Sequence, residues 1–403
     1  MRTPNRLLTF DFLSLCLIIF LTYCNTTVFY SLDVYLGMLG IDRHWRGFLI
    51  GSSALATIAS FLLYSPFMST RNATRNACLG AITLMLCGAG YLAAQSVPAL
   101  LAVRVATGVG IYLLSAACMT LLVDRLPPAR SGQAFGLYSV SILLPYSIVP
   151  AAFDGYFGHT ALNHGYFAMS LFLAPALGLI LHIGATRRDD TPPDAHATPG
   201  YRVMLGGIAD PRVGLLLLLT TLYISVFASV FFLAKGFFQE RSFPNVGMFF
   251  ALQMACMIGV RVLASRVFDR FRKTRLIALS FALTAASCAM IALAREQWQA
   301  LASAVVMGVG MGLGTPAMNS LMFHISEPRF KGMNTNLMTM AQQLGYFLGP
   351  MLGSVAVSSL GYRGFLALDV GIGFAGLGLC VAYARRGLDR HAGEEGATAR
   401  QTE

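Results

Sequence analysis

The sequence predicts an all-α integral membrane protein: twelve transmembrane helices built as two six-helix pseudo-repeats. Composition is the first reason. Of 403 residues 56% are hydrophobic and only 12% charged, about half the charged share of a soluble domain. The second is twelve apolar stretches, each long enough to cross about 30 Å of hydrocarbon. The third is self-similarity at an offset of 200. Gly108-Val109-Gly110 falls on Gly308-Val309-Gly310, Arg75 on Arg275, Pro128 on Pro328, Gly132 on Gly332, Tyr146 on Tyr346 and Pro150 on Pro350. The register holds from Gly47/Gly247 to Pro150/Pro350. Both copies read as apolar helix, so the chain is a duplicated bundle whose repeat axis runs along the membrane normal.

In order, the spans lie near 8–32, 47–68, 78–96, 99–123, 133–156 and 165–185, then 213–237, 246–268, 276–295, 298–323, 333–356 and 362–384. The first is too long for a signal peptide and lacks a cleavage-like site, so it is expected to be a retained span. Residues 1–186 form the first bundle and 212–385 the second. Residues 187–211 join them. They contain Arg187-Arg188-Asp189-Asp190-Thr191-Pro192-Pro193-Asp194, and their charge and proline predict a flexible cytoplasmic linker. The polar tail, 386–403, is expected to be disordered.

The net charge of +11 is a topology signal rather than a nucleic-acid footprint. Most Lys and Arg fall on one side: Arg2/Arg6, Arg71/Arg75, Arg125/Arg130, Arg187 to Arg212, Arg266 to Arg275, Arg329/Lys331 and the tail. Arg43, Arg46, Lys235, Arg241, Arg295 and Arg363 fall on the other. The positive-inside rule then puts both termini in the cytoplasm. All eight cysteines lie in apolar spans with no CxxC pair, which predicts small buried hydrophobes and no metal site.

Enzyme chemistry finds no footing. There is no soluble catalytic domain and no GxxxxGK[ST] loop for ATP, and the few intramembrane acids and histidines show no HxxxH or paired-carboxylate spacing. No cofactor is expected. Gly308-Val-Gly-Met-Gly-Leu-Gly314 lies inside an apolar span without a preceding strand, so it is no nucleotide loop. Its glycines, like Gly345, Gly349 and Gly353 around Pro350, instead let helices approach closely, and Pro350 adds a bend.

Four motifs resemble the major facilitator superfamily, and within it the bacterial drug and metabolite (arabinose-efflux-like) exporters. The first is the G-x-L-a-D-R-x-G-R-R loop after the second and eighth spans. The second copy, Ser265-Arg-Val-Phe-Asp-Arg-Phe-Arg-Lys273, keeps Asp269 and Arg270, whereas the first, Ser65-Pro-Phe-Met-Ser-Thr-Arg-Asn72, has lost the acid. The second motif is Arg104-x-x-Thr107-Gly108-x-Gly110, with Thr107 where the family has glutamine. The third is the antiporter motif G-x-x-x-G-P-x-x-G. It is intact around Pro350 but eroded in the fifth span, where Val149 and Phe153 replace glycines. The fourth is the turn Asp124 to Gly132, repeated as His324 to Gly332. The resemblance spans nearly the whole chain and implies alternating access by two rocking halves. It also implies a cavity lined by spans 1, 4, 7 and 10.

A charge inside a span costs at least about 2.5–3.5 kcal/mol, so each is a functional candidate. Asp33, Arg104 and Asp154 lie at similar depth on spans that neighbour one another in this fold. An arginine beside two acids is the arrangement a proton-coupled carrier needs, the alternative being a static ion pair. Asp369 either couples protons too or faces outer-leaflet water. Lys235 either binds an anionic cargo group or snorkels outward. Arg261 is placed near the cytoplasmic face as a gate residue, and Asp11 at the inner interface. Asp269 is expected to cap the fifth span near Gly132 and hold the inner gate shut. A weaker mirror contact is expected from Ser69 to the start of the eleventh.

The first span carries Thr22, Asn25, Thr26 and Tyr30 on one face. Tyr112, Ser115, Tyr223, Ser225 and Asn319 match them on the other cavity helices, with Gln253, Gln343 and Tyr146 joining from spans 8, 11 and 5. Helix–helix hydrogen bonding is the competing role for each. As a set they predict a moderately polar cavity with aromatic walls. The expected function is export of a small organic molecule (a metabolite, a siderophore-like chelator or a drug) across a bacterial inner membrane. Proton antiport is expected, and a monomer that binds no nucleic acid. A proton- or sodium-coupled importer of a small polar nutrient is the alternative, and a non-transporting membrane sensor a more distant one.

Overall fold

The computed structural model describes residues 9–125, 131–157, 161–185, 210–263, 271–326 and 331–388, and every regular element among them is helical. Twelve helices follow one another: α1 (Phe10–Met38), α2 (Arg43–Tyr64), α3 (Thr70–Ala93), α4 (Val97–Arg125), α5 (Ser131–Phe157), α6 (Leu162–Ala185), α7 (Pro211–Glu240), α8 (Val246–Leu263), α9 (Lys273–Leu293), α10 (Gln297–Ile325), α11 (Lys331–Leu360) and α12 (Tyr362–Arg385). Eleven are long and apolar enough to cross a membrane. The other, α11, has the length, but Asn334, Asn336, Gln342 and Gln343 in its first half make it more polar. The expected linker, 187–211, and tail, 386–403, fall almost wholly outside the described residues.

Local chemistry sets many helix starts. Thr9, Asp42 and Asp210 accept hydrogen bonds from the first turns of α1, α2 and α7, and Pro211 takes the first position of α7. These caps satisfy backbone N–H groups that hydrocarbon leaves unpaired. Ser69 and Asn72 form a capping box on α3, and Glu296 with Gln299 forms another on α10. Because of its cap, α3 begins at Thr70 rather than near 78, carrying Arg71 and Arg75 in its first turns. Gly361, at φ +71°, starts α12 in a conformation other residues adopt only with strain.

Helix α1 runs past the expected end at 32 and is broken. A 3-10 turn, Val28–Ser31, separates Phe10–Thr27 from Leu32–Met38. The β-branched run Thr26-Thr27-Val28 precedes it, and Thr22, Thr26 and Thr27 each bond a carbonyl four residues back. Both features weaken regular helix.

The chain clusters into two units. One is Met1–Ala197 with Asn245–Met254, and the other is Thr198–Pro244 with Ala255–Glu403. In the first, Leu15 and Ile18 of α1 pack with Ala77 and Ala81 of α3, Leu114 and Cys118 of α4 and Ile180 of α6. Exposed Leu63, Leu86 and Leu181 suit a surface solvated by lipid.

The repeat survives in three dimensions. Gly110 of α4 meets Leu84 and the carbonyl of Gly80 on α3, while Gly310 of α10 meets Thr284 and the carbonyl of Ser280 on α9. All three positions differ by 200. The alternating glycines of α10 serve different neighbours. Gly310 and Gly314 face α9 and Tyr223 of α7, and Gly312, on the opposite side, lies against Val260 of α8. A glycine at every second position admits close helices on both sides.

Candidate functional site

In the first unit the polar centre is Arg104, which is 3% exposed. Its Nε donates to the Leu49 carbonyl at 3.2 Å, and its Nη2 donates to the Ile50 carbonyl and Ser53 Oγ of α2. Gly108, one turn on, lets α4 come this close, because its Cα lies against the Ser53 carbonyl and Ala56. The guanidinium sits 5.2 Å from the centre of the Phe29 ring. Phe29 in turn packs on Tyr91 at 5.1 Å and Tyr166 at 4.9 Å, and Tyr35 closes the cluster 5.5 Å from Tyr166. Ser31 and Tyr166 share a hydrogen bond at 2.9 Å. This aromatic group holds the 3-10 turn of α1.

The expected triad of Asp33, Arg104 and Asp154 is not assembled among the described residues. Arg104 bonds carbonyls and a hydroxyl, not a carboxylate, because α2 presents two carbonyls and Ser53 to it first. Asp33 is buried in the first turn of the Leu32–Met38 segment, where the helix dipole favours an acid. Asp154 lies in α5, but its side chain is outside the described residues.

The stripe on α1 is partly self-satisfied. Thr22 and Thr26 bond their own helix, Asn25 is buried, and Tyr30 reaches the Pro150 carbonyl at 3.5 Å. Tyr146 faces Tyr23, and Tyr112 lies edge-on to Phe61 and Tyr64. Ser115 Oγ and both amide atoms of Gln253 are buried with no hydrogen-bond partner. Gln253 is 1% exposed. Asp11 sits half-buried in the first turn of α1.

In the second unit Tyr223 donates to the Gly310 carbonyl at 2.7 Å, and Ser225 bonds its own helix at Thr221. Asn319 is exposed and Gln343 half-buried. Lys235 is 1% exposed, so it does not snorkel. Its ammonium lies within the bundle, where neighbouring helices cover α7 along nearly its whole length. Asp369 is equally buried and does not face outer water; Ser229 Oγ of α7 donates to its Oδ2. Nothing in the sequence marks Ser229, a hydroxyl among the apolar residues Val226, Phe227, Ala228 and Val230.

Arg261 lies in the last described turn of α8, with Tyr223 of α7 and Tyr346 of α11 as its electrostatic neighbours. Along α7, Tyr223 is roughly 18 Å from the helix start at 1.5 Å per residue.

The glycines around Pro350 form the expected ridge. A methyl on Gly345 would lie 2.7 Å from Ile224 Cβ, one on Gly349 would run into the Ser225 carbonyl, and one on Gly353 would lie 2.5 Å from Leu233 Cδ1. Helix α11 is thus pressed backbone-close onto α7. In the first unit Val149 and Phe153 stand at the corresponding positions, and Phe153 packs on Tyr30 at 6.2 Å. Asp269 and Arg270 lie outside the described residues. Ser69 caps its own helix α3.

The duplicated twelve-helix bundle with charged side chains inside its spans is a secondary-transporter architecture. The Major Facilitator Superfamily model matches residues 13–294 and 215–401, and the chain belongs to that superfamily. It is a multi-pass membrane transporter, not an enzyme. It is similar to multidrug resistance protein MdtG of Salmonella paratyphi C (strain RKS4594), at 22% identity over 85% of this chain and 87% of the relative. It is also similar to multidrug resistance protein MdtH of Aeromonas hydrophila subsp. hydrophila, at 29% identity over 27% of this chain and 28% of that one. Its fold resembles a solved bacterial homolog of the human lysosomal transporter Spinster, with TM-score 0.77 and 16% identity, covering 95% of this chain and 98% of that one. A solved POT family transporter gives TM-score 0.77 at 12% identity, covering 93% and 96%.

Proposed function

We propose that the protein exports a small organic molecule across a bacterial inner membrane in exchange for protons, by alternating access of its two bundles. Both termini lie in the cytoplasm, and a monomer suffices.

Asp369 carries the coupling part of this reading. It is a carboxyl buried between helices, bonded by one hydroxyl and paired with no cation among the described residues. A fixed structural charge at this depth would be expected to have a counter-ion. A proton carrier instead gains and loses its charge as water reaches it. The names of the relatives support the outward direction. Arg104 is a structural anchor in this reading, since its bonds to α2 tie α4 in place.

The test compares cells with and without the gene by untargeted mass spectrometry of medium and cell extract, in iron-rich and iron-poor medium. A compound that accumulates inside the deletion strain and disappears from its medium is the cargo. Everted vesicles then show whether that compound discharges a pH gradient. A compound left unconsumed in the medium would make the protein an importer and remove the antiport reading.

A further inference from the structure

We infer that Arg261 is the recognition point for a carboxylate on the cargo, so that the transported molecule is an organic anion. This deepens the export reading and rests on it.

The first ground is the state of the side chain. Arg261 Nε is buried and has no hydrogen-bond partner. No carboxylate pairs with it among the described residues. Its electrostatic neighbours are the two phenols of Tyr223 and Tyr346, one of which already donates to Gly310. Arg104 is the contrast within the same chain: it is 3% exposed, and three acceptors satisfy it. An N–H of a guanidinium buried without an acceptor is costly until an acceptor meets it.

The second ground is the repeat. Position 261 corresponds to Phe61, and Tyr346 to Tyr146. In the first bundle an aromatic ring fills the place, edge-on to Tyr112 at 5.9 Å. Packing therefore does not demand a cation here. The second bundle keeps a tyrosine at 346, has Gly312 where the first has Tyr112, and replaces the phenylalanine by a planar fork of N–H donors, the group suited to a bidentate carboxylate.

The third ground is access. Gly312 brings α10 against Val260, the residue beside Arg261, so one side of α8 is closed by backbone. Arg261 itself remains half-exposed, leaving part of its guanidinium open to an arriving group.

The test uses the purified full-length protein in detergent. Thermal unfolding is followed with sodium benzoate, benzamide, or sodium chloride at matched ionic strength. Benzoate is expected to raise the midpoint while benzamide and chloride do not. Arg261→Gln and Arg261→Phe should abolish the benzoate shift, and Arg261→Lys should need about tenfold more benzoate, because an ammonium lacks the fork. Without ligand, Arg261→Phe should melt at or above the wild type, since it removes an unpaired charge and installs the side chain of the first bundle. Equal responses to benzoate and benzamide, no response to benzoate, or a response shared with chloride would each overturn the proposal. So would a shift retained in Arg261→Gln, or a clear loss of stability in Arg261→Phe. The export reading fails separately. If a neutral or cationic compound builds up in the deletion strain, export stands and the carboxylate assignment falls. If benzoate binding tracks Arg261 while no compound moves outward, export falls and the anion site stands.

Discussion

Ser229 of α7 donates a hydrogen bond to the carboxylate of Asp369 on α12, and both residues are buried. Asparagine keeps the size of Asp369 and an oxygen for Ser229, but cannot exchange a proton. Asp369→Asn should therefore fold and still exchange cargo across a membrane with no gradient. Its proton-driven accumulation should fall about tenfold or more, the scale of a coupling free energy between sites. Equilibrium exchange and gradient-driven uptake in everted vesicles, measured side by side, check this. Equal loss in both assays would make Asp369 structural.

Gly349 has no room for a side chain, because its Cα faces the Ser225 carbonyl across the α7–α11 contact. Gly349→Val should destabilise the protein by about 1–3 kcal/mol through overpacking. Fluorescence-detected size exclusion after heating reads the effect.

Arg104 binds Leu49, Ile50 and Ser53 with a fork that lysine cannot copy. Arg104→Lys should lose about 2–3 kcal/mol of stability, the worth of a charge-assisted bond or two. Ser53→Ala should lose less, because two carbonyl acceptors remain. The order of melting temperatures, wild type above Ser53→Ala above Arg104→Lys, is the measurement.

Tyr223→Phe removes the bond to the Gly310 carbonyl and keeps the ring. It should cost about 1 kcal/mol and leave the benzoate response of Arg261 in place. Calorimetry with and without benzoate separates the two effects.

The charge distribution predicts topology. Green fluorescent protein fused after Glu403 should fluoresce, because the C-terminus is cytoplasmic. Alkaline phosphatase fused after Arg241, in the turn following α7, should be active. The reverse pattern would invert the orientation.

The sequence by itself determined the fold class, the twelve helices and the duplication. Hydropathy and a 200-residue repeat are properties of the chain read locally, and hydrocarbon enforces them without regard to partners. It also singled out Asp33, Arg104, Lys235, Arg261 and Asp369, because charge in an apolar run needs no coordinates to be noticed. Their partners were decided by the tertiary structure alone. Arg104 was expected beside acids, and it bonds α2, since Gly108 lets that helix arrive first. Lys235 was a candidate to snorkel, and neighbouring helices bury it. Arg261 stands in the last described turn of α8, and helix packing gives it Tyr223 of α7 and Tyr346 of α11 as neighbours. Ser229 was silent until α12 brought Asp369 to it. The physical reason is common to all four. Which side chains meet depends on how each helix is rotated and how closely its glycines let it approach. No single helix encodes that about its neighbour.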